Sequence, residues 1–351
     1  MERLYTLRLE RIEAVLDRWL PHNPGQGWAA EVFPDLAGGL DRHKLGAVAA
    51  PGRDLLSRGG KRWRPLLMTL VCEALGGGDA ALPLVPLVEF CHNASLIHDD
   101  IEDSSDERRG QPAVHIVHGV DAAINGGCFL YFLPLACIDA WAANLEPATA
   151  DFCKAEIYSL WGGYMRKLHL GQAIDIDWHR NFEPIPSVEE YRAMCALKTG
   201  CLARFAAELG AAAAGASGAA RQLGEAAEKL GVGFQILDDV KNLTTGLPGK
   251  RRGDDIVEGK KSLPVLMFLH RWPEKKGMVK RCFGVARSGG VSVPEVEELI
   301  QALLADGILA EAEEQGKDLM AEARTIFAET ENAFRAAGEG ALFSGFIDQI
   351  L

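Results

Sequence analysis

The spacing of apolar residues along the chain predicts a succession of α-helices. Residues 1–20 place apolar side chains at helical intervals and predict an amphipathic helix. By the same criterion, helices are predicted over residues 65–75, 84–103, 112–143, 150–178, 187–214 and 219–243, followed by amphipathic helices to about residue 337. Segments 21–39 and 246–262 contain glycine and proline and are predicted to be loops. No convincing strand alternation is present, so the pattern predicts an all-α fold.

Local signals refine this prediction. Ser187 stands three residues before Glu190, which is the spacing of a capping box at a helix start. Gly231 and Gly233 lie inside a predicted helix, where glycine indicates close packing or close approach of a ligand. Neither a linker nor a fixed-period repeat divides the chain, so residues 1–351 are predicted to form a single domain that includes the helices at about 292–351.

An acidic motif ends the helix predicted over residues 84–103. Asp99 and Asp103 are four residues apart and therefore share one helical face. Like charges at this spacing repel, and a hard divalent cation would compensate them. Because carboxylates without nearby cysteine or histidine ligands favour magnesium, we expect a Mg²⁺ site here. Ser95 and His92 continue the same stripe at four and seven residues before Asp99, so this face should line a cavity.

A second acidic motif, Asp238-Asp239-Val240-Lys241-Asn242, follows more than a hundred residues later. Two such motifs could meet only across a central cavity between helices. Cationic clusters at residues 61–64, 108–109, 198 and 250–261 accompany them, and cations bind phosphate oxygens. The combination predicts a diphosphate that magnesium bridges to aspartates. The basic, glycine-rich loop 246–262 has the composition of a lid over phosphate.

Composition narrows the choice of partner and compartment. The net charge of −12 disfavours nucleic acid and anionic membranes as general partners. The 8 cysteines include no CxxC pair and predict reduced thiols in a cytoplasmic protein. The longest apolar run, residues 129–138, is about half of the ~20 residues that a spanning helix needs. No transmembrane segment is therefore expected, and charged residues between Glu2 and Arg11 also argue against a signal peptide.

With these motifs in order, the chain resembles a trans-isoprenyl diphosphate synthase of the polyprenyl synthetase family. The matching segments are Gly60-Lys61-Arg62-Trp63-Arg64-Pro65, residues 92–110, Gly171-Gln172, Lys198-Thr199-Gly200, Phe234-Gln235-Ile236-Leu237-Asp238-Asp239 and Glu258-Gly259-Lys260. They cover roughly residues 55–265. The resemblance implies an isoprenoid-synthase-type helical bundle around a deep central cavity, which normally forms a homodimer.

The resemblance also implies a role for each motif residue. Asp99, Asp103 and Asp238 would bind Mg²⁺, as three ions with bound diphosphate, supported by Asp100 and Asp239. The allylic diphosphate would be held by Arg108, Lys198, Thr199, Gln235 and Lys260. Isopentenyl diphosphate would be held by Lys61, Arg64, His92 and Arg109. The allylic C–O bond would ionise, and the isopentenyl double bond would attack the resulting cation away from water.

Product length depends on what lies below the first motif. Cys91, Ala94 and Ser95 are small, so this helix does not plug a tunnel there, and a floor would come from Phe129, Tyr131 or Phe132. The sequence Asp-Asp-Ile-Glu-Asp, the run from residues 124–125 to 131–132, and Asn242 resemble eukaryotic-type geranylgeranyl diphosphate synthases. Geranylgeranyl diphosphate is therefore the expected product, with longer chains (C25 or more) or farnesyl diphosphate as alternatives. Asn242 replaces a carboxylate that many family members have.

Other functions fit single motifs less well. A regulatory subunit would usually lack aspartates of the first motif, and a terpene cyclase would not need the cationic residues of the isopentenyl site. A His-Asp phosphohydrolase, suggested by His98 and Asp99, would leave the second motif unexplained. A helical scaffold with two acidic surfaces would not explain the ordered combination of motifs.

Overall fold

The structure, a computed structural model, describes residues 2–35, 41–246, 251–334, 343 and 345–347. Helices form nearly all of the regular structure in these ranges. They are α1 (Glu2–Trp19), α2 (Gln26–Val32), α3 (Arg42–Ser57), α4 (Trp63–Ala74), α5 (Val85–Glu102), α6 (Val114–His118), α7 (Val120–Phe132), α8 (Leu135–Ala142), α9 (Pro147–Arg180), α10 (Val188–Cys195), α11 (Cys201–Ala213), α12 (Ser217–Thr244), α13 (Asp254–Glu258), α14 (Leu263–Arg271), α15 (Lys276–Gly289), α16 (Pro294–Ala305) and α17 (Ile308–Phe334). The predicted all-α fold is confirmed.

The chain divides into two compact units. Unit 1 comprises Met1–Tyr164, Arg204–Gly224 and Phe327–Ile350, and unit 2 comprises Met165–Ala203, Glu225–Ile326 and Leu351. Each unit is described by itself below. The single domain and the central cavity that the sequence suggests remain predictions.

Unit 1 is built around α5, which packs against α7 and also contacts α1, α3 and α4. Its interior face is mostly apolar, with Leu87, Val88, Phe90 and Ile97 excluded from solvent, but it also buries the polar residues Glu89, Asn93 and Asp100. The helix ends at Glu102, and the Ser104 backbone (φ +54°) then turns the chain away. The Asp103 N–H still donates to the Asp99 carbonyl at 2.8 Å, so both motif aspartates keep the helical register.

The single helix predicted over residues 112–143 is wrong, because the structure has three shorter helices there, α6, α7 and α8. Gly119, at φ +89°, separates α6 from α7, and Pro134 lies between α7 and α8. Both residues are poor helix continuers for backbone reasons, which an apolar period does not register. The predicted loop 21–39 is also partly wrong because it contains α2, while residues 36–40 lie outside the described ranges.

One stretch, Val120–Ala142, is long and apolar enough to cross a membrane by length and composition alone, and half of its residues are buried in the structure. It is longer than the run of residues 129–138 because α7 contributes its whole length. Core helices of soluble proteins pass the same test, so the stretch is weak evidence for a membrane span. The expected absence of a transmembrane segment remains a prediction.

The sequence pattern missed a short β-hairpin after α5. Strand β1 (Glu107–Arg108) pairs antiparallel with β2 (Gln111–Pro112). The two turn residues, Arg109 and Gly110, have φ values of +55° and +72°. Positive φ at both positions matches the twist of a tight hairpin and is uncommon for a residue such as arginine. Strands of two residues are too short to show an alternating pattern.

Unit 2 has two apolar clusters, one on α14–α16 and one where α10, α12 and α14 meet. The capping box at the start of α10 is confirmed, because Ser187 Oγ accepts from the Glu190 N–H at 3.1 Å and Glu190 Oε2 accepts from the Ser187 N–H at 2.7 Å. Residues 196–200 form a π-helical turn between α10 and α11. Such turns often occur at functional sites, and this one carries Lys198 and Thr199.

Candidate active site

The stripe predicted on α5 is present. His92, Ser95, Asp99 and Asp103 are all half-buried, whereas the neighbouring positions 91, 93, 94, 97 and 100 are buried. The polar residues therefore lie on an accessible face of α5 within unit 1, although Leu96, His98 and Ile101 are half-buried as well. This arrangement follows directly from the helical period.

Asp100, predicted to support the metal, is fully buried and faces Arg108. Arg108 Nε donates to Asp100 Oδ1 at 2.8 Å, Nη2 bonds the same oxygen, and Nη2 lies 3.6 Å from Asp99 Oδ2. Burial alone would lower the pKa of Arg108, but the bond with Asp100 and the charges of Asp99 and Asp103 raise it. The guanidinium thus offsets part of the repulsion between the motif carboxylates. Asp100 holds Arg108 beside them.

All four residues predicted to bind isopentenyl diphosphate lie on neighbouring segments of unit 1, and three of them are at least partly buried. Arg64, in the first turn of α4, donates to His92 Nε2 at 3.3 Å and lies over the Trp63 ring. Burial and the charges of Arg64 and Arg109 hold the pKa of His92 well below its usual value. The ring is therefore neutral at pH 7. Lys61, the fourth residue, is exposed in the loop before α4.

In unit 2, the predicted phosphate-binding Lys198 is fixed by a carboxylate that sequence reasoning left without a role. Lys198 Nζ donates to Asp175 Oδ2 at 2.5 Å, and His179 Nε2 lies 3.0 Å from Asp175 Oδ1. Burial would raise the pKa of Asp175, but the charges of Lys198, His179 and Lys260 hold it well below its usual value. The i, i+4 spacing of Asp175 and His179 on α9 was a signal that could have indicated this pairing.

Glycines allow the backbones of unit 2 to approach each other around the π-helical turn. A Cβ added at Gly171 on α9 would lie 2.5 Å from the Lys198 nitrogen, and one added at Gly231 on α12 would lie 2.8 Å from the Gly200 Cα. Gly233 is close in the same way to Gly316 on α17. The predicted close packing at Gly231 and Gly233 is confirmed. These contacts place the turn with Lys198 and Thr199 between α9 and α12.

The two aspartates of the second motif differ in their surroundings. Asp239 is buried, and its oxygens accept from Tyr191 Oη at 2.6 Å, from Gln235 Nε2 at 3.0 Å and from the Leu263 N–H at 3.3 Å. Burial and the charge of Asp255 raise the pKa of Asp239 to about 7. Asp238 is half-buried. Of this pair, Asp238 is therefore the aspartate with an accessible side chain.

Gln235 and Thr199, both predicted to hold the allylic diphosphate, contact each other. Thr199 Oγ1 donates to Gln235 Oε1 at 2.9 Å. Lys260, predicted for the same substrate, lies 2.6 Å from Glu258 and 3.8 Å from Asp255. These residues belong to unit 2, whereas Arg108 belongs to unit 1. Their assembly around one diphosphate remains a prediction.

Asn242, the departure from the family pattern, contacts the segment that begins α13. Its Oδ1 accepts from the Asp255 N–H at 3.1 Å, and its carbonyl accepts from the Gly253 N–H at 2.9 Å. The side chain is 1% exposed. Asn242 thus binds the start of α13, inside the predicted lid, where a carboxylate would also find a donor. Residues 247–250 of that loop, including Lys250, lie outside the described ranges.

The predicted chain-length residues do not share one environment. Cys91 and Ala94 are completely buried, so only Ser95 lies on the accessible face of α5. Tyr131 lies against α5, with its ring centroid 5.7 Å from that of His98. In contrast, Phe129 stacks on Phe33 beside α2, and Phe132 is 61% exposed beside Trp161. The placement of Cys91, Ala94, Phe129 and Phe132 does not support their predicted contact with a product chain.

No cluster of three histidine, cysteine or carboxylate residues that could hold a metal ion occurs in the described ranges. Magnesium does not require one, because it is usually bound through one or two carboxylates plus substrate phosphates. The donor set fits this mode: Asp99 and Asp103 offer oxygens on one face, and Asp100 Oδ2 is buried without a hydrogen-bond partner. The site is therefore suited to metal that arrives with diphosphate.

The fold and these motifs define an all-α enzyme of the prenyl synthase class. The solved structure of polyprenyl synthase from Caulobacter crescentus, complexed with calcium and isoprenyl diphosphate, has the same fold at a TM-score of 0.77 and 23% identity, covering 99% of this chain and 95% of that one. A family model described as polyprenyl synthetase matches residues 46–303. The chain belongs to the polyprenyl synthetase family and is a trans-prenyltransferase, as its motifs predict.

Two relatives support this assignment at higher identity. The short chain isoprenyl diphosphate synthase of Methanocaldococcus jannaschii is 37% identical, over 72% of this chain and 74% of its own. The geranylgeranyl diphosphate synthase of Methanosarcina mazei is 35% identical, over 73% of this chain and 76% of its own. The predicted family is therefore confirmed, whereas the roles of individual residues remain predictions.

We predict that His92→Gln will remove a pH-dependent loss of stability. Because the pKa of folded His92 lies below its unfolded value of 6.5, the unfolded state binds more protons below that pH. Relative to the variant, the wild type should lose up to about 1.4 kcal/mol of unfolding free energy between pH 7.5 and pH 5.5, a limit reached when the folded ring stays neutral throughout. Urea unfolding of both proteins at the two pH values measures this. If the difference in unfolding free energy between wild type and variant were the same at both pH values, the pKa of His92 would not be lowered by folding.

Proposed function

We propose that the enzyme condenses an allylic diphosphate with isopentenyl diphosphate, head to tail, to form an all-trans prenyl diphosphate. The observation that carries the proposal is the arrangement on α5 of unit 1. Two carboxylates suited to metal-bound diphosphate follow His92 on this face: Asp99 after about two turns, or roughly 10 Å of helix, and Asp103 after about three. His92 belongs to a cation-rich cluster suited to a second diphosphate. One accessible face of α5 thus offers a site for a metal-bound diphosphate and a separate, cationic site for a second diphosphate.

Magnesium, when bound, would neutralise charge on the departing diphosphate. We propose that Asp99, Asp103 and Asp238 hold it as three ions, with Asp100 and Asp239 positioning neighbouring groups. Support comes from the oxygen-only donor set, and from the calcium and isoprenyl diphosphate bound by the Caulobacter crescentus enzyme.

The protein's own groups would carry the remaining steps. Arg108, Lys198, Thr199, Gln235 and Lys260 would bind and orient the allylic diphosphate and stabilise its developing charge. Lys61, Arg64 and Arg109 would hold isopentenyl diphosphate, and the neutral His92 ring would complete that site through a hydrogen bond. The allylic C–O bond would break as diphosphate leaves, and the isopentenyl double bond would attack the resulting allylic cation. A proton lost from the new chain would then pass to the released diphosphate.

We propose geranylgeranyl diphosphate as the product. The name of the Methanosarcina mazei relative supports this length. In unit 1, small Ser95 on the accessible face of α5 leaves room beneath Asp99, and Tyr131 lies nearby against α5. A longer product or farnesyl diphosphate is the alternative.

We also place the enzyme in the cytoplasm, supported by eight cysteines that are all free thiols. Cell fractionation would test this.

Incubation with farnesyl diphosphate, isopentenyl diphosphate and Mg²⁺ should yield a twenty-carbon diphosphate. Asp99→Asn and Asp238→Asn should each lower kcat/KM by at least about 10³-fold because the metal loses an anionic ligand. Asp139→Asn, at an exposed ion pair with Lys154, is the matched control and should be unaffected. Chromatography of the products and steady-state kinetics measure these outcomes. Near-normal activity of Asp99→Asn would overturn the metal assignment.

Ser95→Phe should shorten the product. A phenyl ring one turn below Asp99 would block the accessible face of α5, so extension should stop at fifteen carbons or fewer. Ala94→Ser serves as the comparison because position 94 is fully buried and should not alter length. Product analysis with geranyl diphosphate as primer distinguishes the outcomes. An unchanged product from Ser95→Phe would mean that the growing chain does not pass this residue.

We propose that two copies of the chain form a homodimer through α6 and α7. Ile116 and Val117 on α6 and Val120 and Ile124 on α7 are between 45% and 56% exposed, an unusual concentration of large apolar side chains. Ile124→Glu should place a charge in this face and shift the mass in solution toward one chain. Leu304→Glu, at an equally exposed residue on α16, should not. Light scattering after size-exclusion chromatography measures the mass; a dimeric Ile124→Glu protein would place the interface elsewhere.

A further inference from the structure

Arg62 lies between two predicted isopentenyl-site residues, yet its side chain is directed into the protein. The residue is 4% exposed and adopts a left-handed backbone conformation, at φ +48° and ψ +28°, just before α4. Its guanidinium donates to Glu13 Oε1 at 2.8 Å, to Glu89 Oε1 at 2.9 Å, and to the Gly59 and Leu56 carbonyls at 3.0 and 2.7 Å. With four protein acceptors, Arg62 is a structural member of the loop.

Glu89 joins this loop to α5. The residue is 2% exposed, and its Oε1 accepts from both Arg62 Nη1 and Asn93 Nδ2, each at 2.9 Å. Asn93 Nδ2 also donates to the Glu89 carbonyl at 2.7 Å, which fixes the amide orientation one turn further along. Asn93 is the residue directly after His92 on α5. The pairing of Arg62 with Glu89 therefore sets where His92 stands relative to the loop.

The β-hairpin closes the network. Arg109 Nη1 donates to the Leu55 carbonyl at 3.0 Å, bonds the Gly59 carbonyl, and lies 3.4 Å from Asn93 Oδ1. The Gly59 carbonyl therefore accepts from both Arg62 and Arg109. The sequence of contacts Arg62–Glu89–Asn93–Arg109 returns to the loop at Gly59. It connects the loop before α4, helix α5 and the hairpin.

Electrostatics give Glu89 a second effect. Burial, together with the charges of Arg62, Arg108 and Arg58, lowers the pKa of Arg109 to about 10, while Glu89 acts in the opposite direction. Buried like charges at such distances destabilise each other unless a buried counter-charge is present. Glu89 supplies that charge from behind the cations. The accessible sides of the predicted ligands are then left for an anionic substrate.

We propose that Glu89 is a positioning residue for isopentenyl diphosphate: through Arg62 and Asn93 it holds Arg64, His92 and Arg109 in their binding arrangement. The proposal rests on the isopentenyl site described under the proposed function. It assigns Glu89 no contact with either substrate.

Glu89→Gln removes the charge while nearly keeping the shape. We expect the KM for isopentenyl diphosphate and its calorimetric Kd without metal to rise about tenfold, as for the loss of one charge-assisted hydrogen bond. The KM for the allylic diphosphate should change less than twofold. Glu73→Gln, which breaks the half-buried pair with Arg8 in the same unit, is the matched control and should leave both KM values unchanged. Equal rises in both KM values for Glu89→Gln would contradict a positioning role.

Two further variants separate the remaining outcomes. Glu13→Gln replaces Glu89→Gln if circular dichroism shows that Glu89→Gln does not fold, because Glu13 binds the same Arg62 from its more exposed side. It should raise the KM for isopentenyl diphosphate alone by about threefold, which is about half of the tenfold effect in free energy. Lys61→Ala tests the site itself. If Lys61→Ala leaves the Kd for isopentenyl diphosphate unchanged, the site and this inference are both wrong. If Lys61→Ala weakens binding but Glu89→Gln matches Glu73→Gln, only this inference is wrong.

Discussion

Two buried ion pairs along α5 are the interactions on which the placement of the candidate site residues in unit 1 depends. Glu89 binds Arg62 near the start of the helix, and Asp100 binds Arg108 near its end. Both carboxylates are almost completely excluded from water. A buried carboxylate without its cation is strongly unfavourable, so each pair fixes the segment that brings the arginine. The loop before α4 and the β-hairpin are thereby held against one helix.

Unit 2 solves the same problem with a different arrangement. Asp175 binds Lys198 and His179, and Asp239 is bound by Tyr191, Gln235 and a backbone N–H. In each motif one aspartate, Asp100 or Asp239, is buried and hydrogen-bonded to a neighbour, whereas the side chain of Asp99 or Asp238 is accessible. Burial thus distinguishes the adjacent aspartates, and it is the accessible one of each pair that we propose binds metal.

The accessible stripe on α5 could be predicted from sequence because it depends only on the helical period. His92, Ser95, Asp99 and Asp103 share a face in any α-helix. The capping box of Ser187 and Glu190 is local in the same sense. The roles of Glu89, Asp175 and Asn242 could not be predicted in this way, since each depends on a contact with a residue on another segment. The hairpin at Arg109 and the π-helical turn at Lys198 were missed because they are too short to produce a period.

The same distinction explains the outcome for the chain-length residues. Small size at Cys91, Ala94 and Ser95 was read from sequence as room for a growing product. Size matters only on the accessible face, however, and two of the three residues point into the packed interior. Of the aromatic residues, Phe129 and Tyr131 are two positions apart on α7 and therefore contact different neighbours. Within unit 1, the space beside Ser95 and the position of Tyr131 are therefore the features on which the proposed control of product length rests.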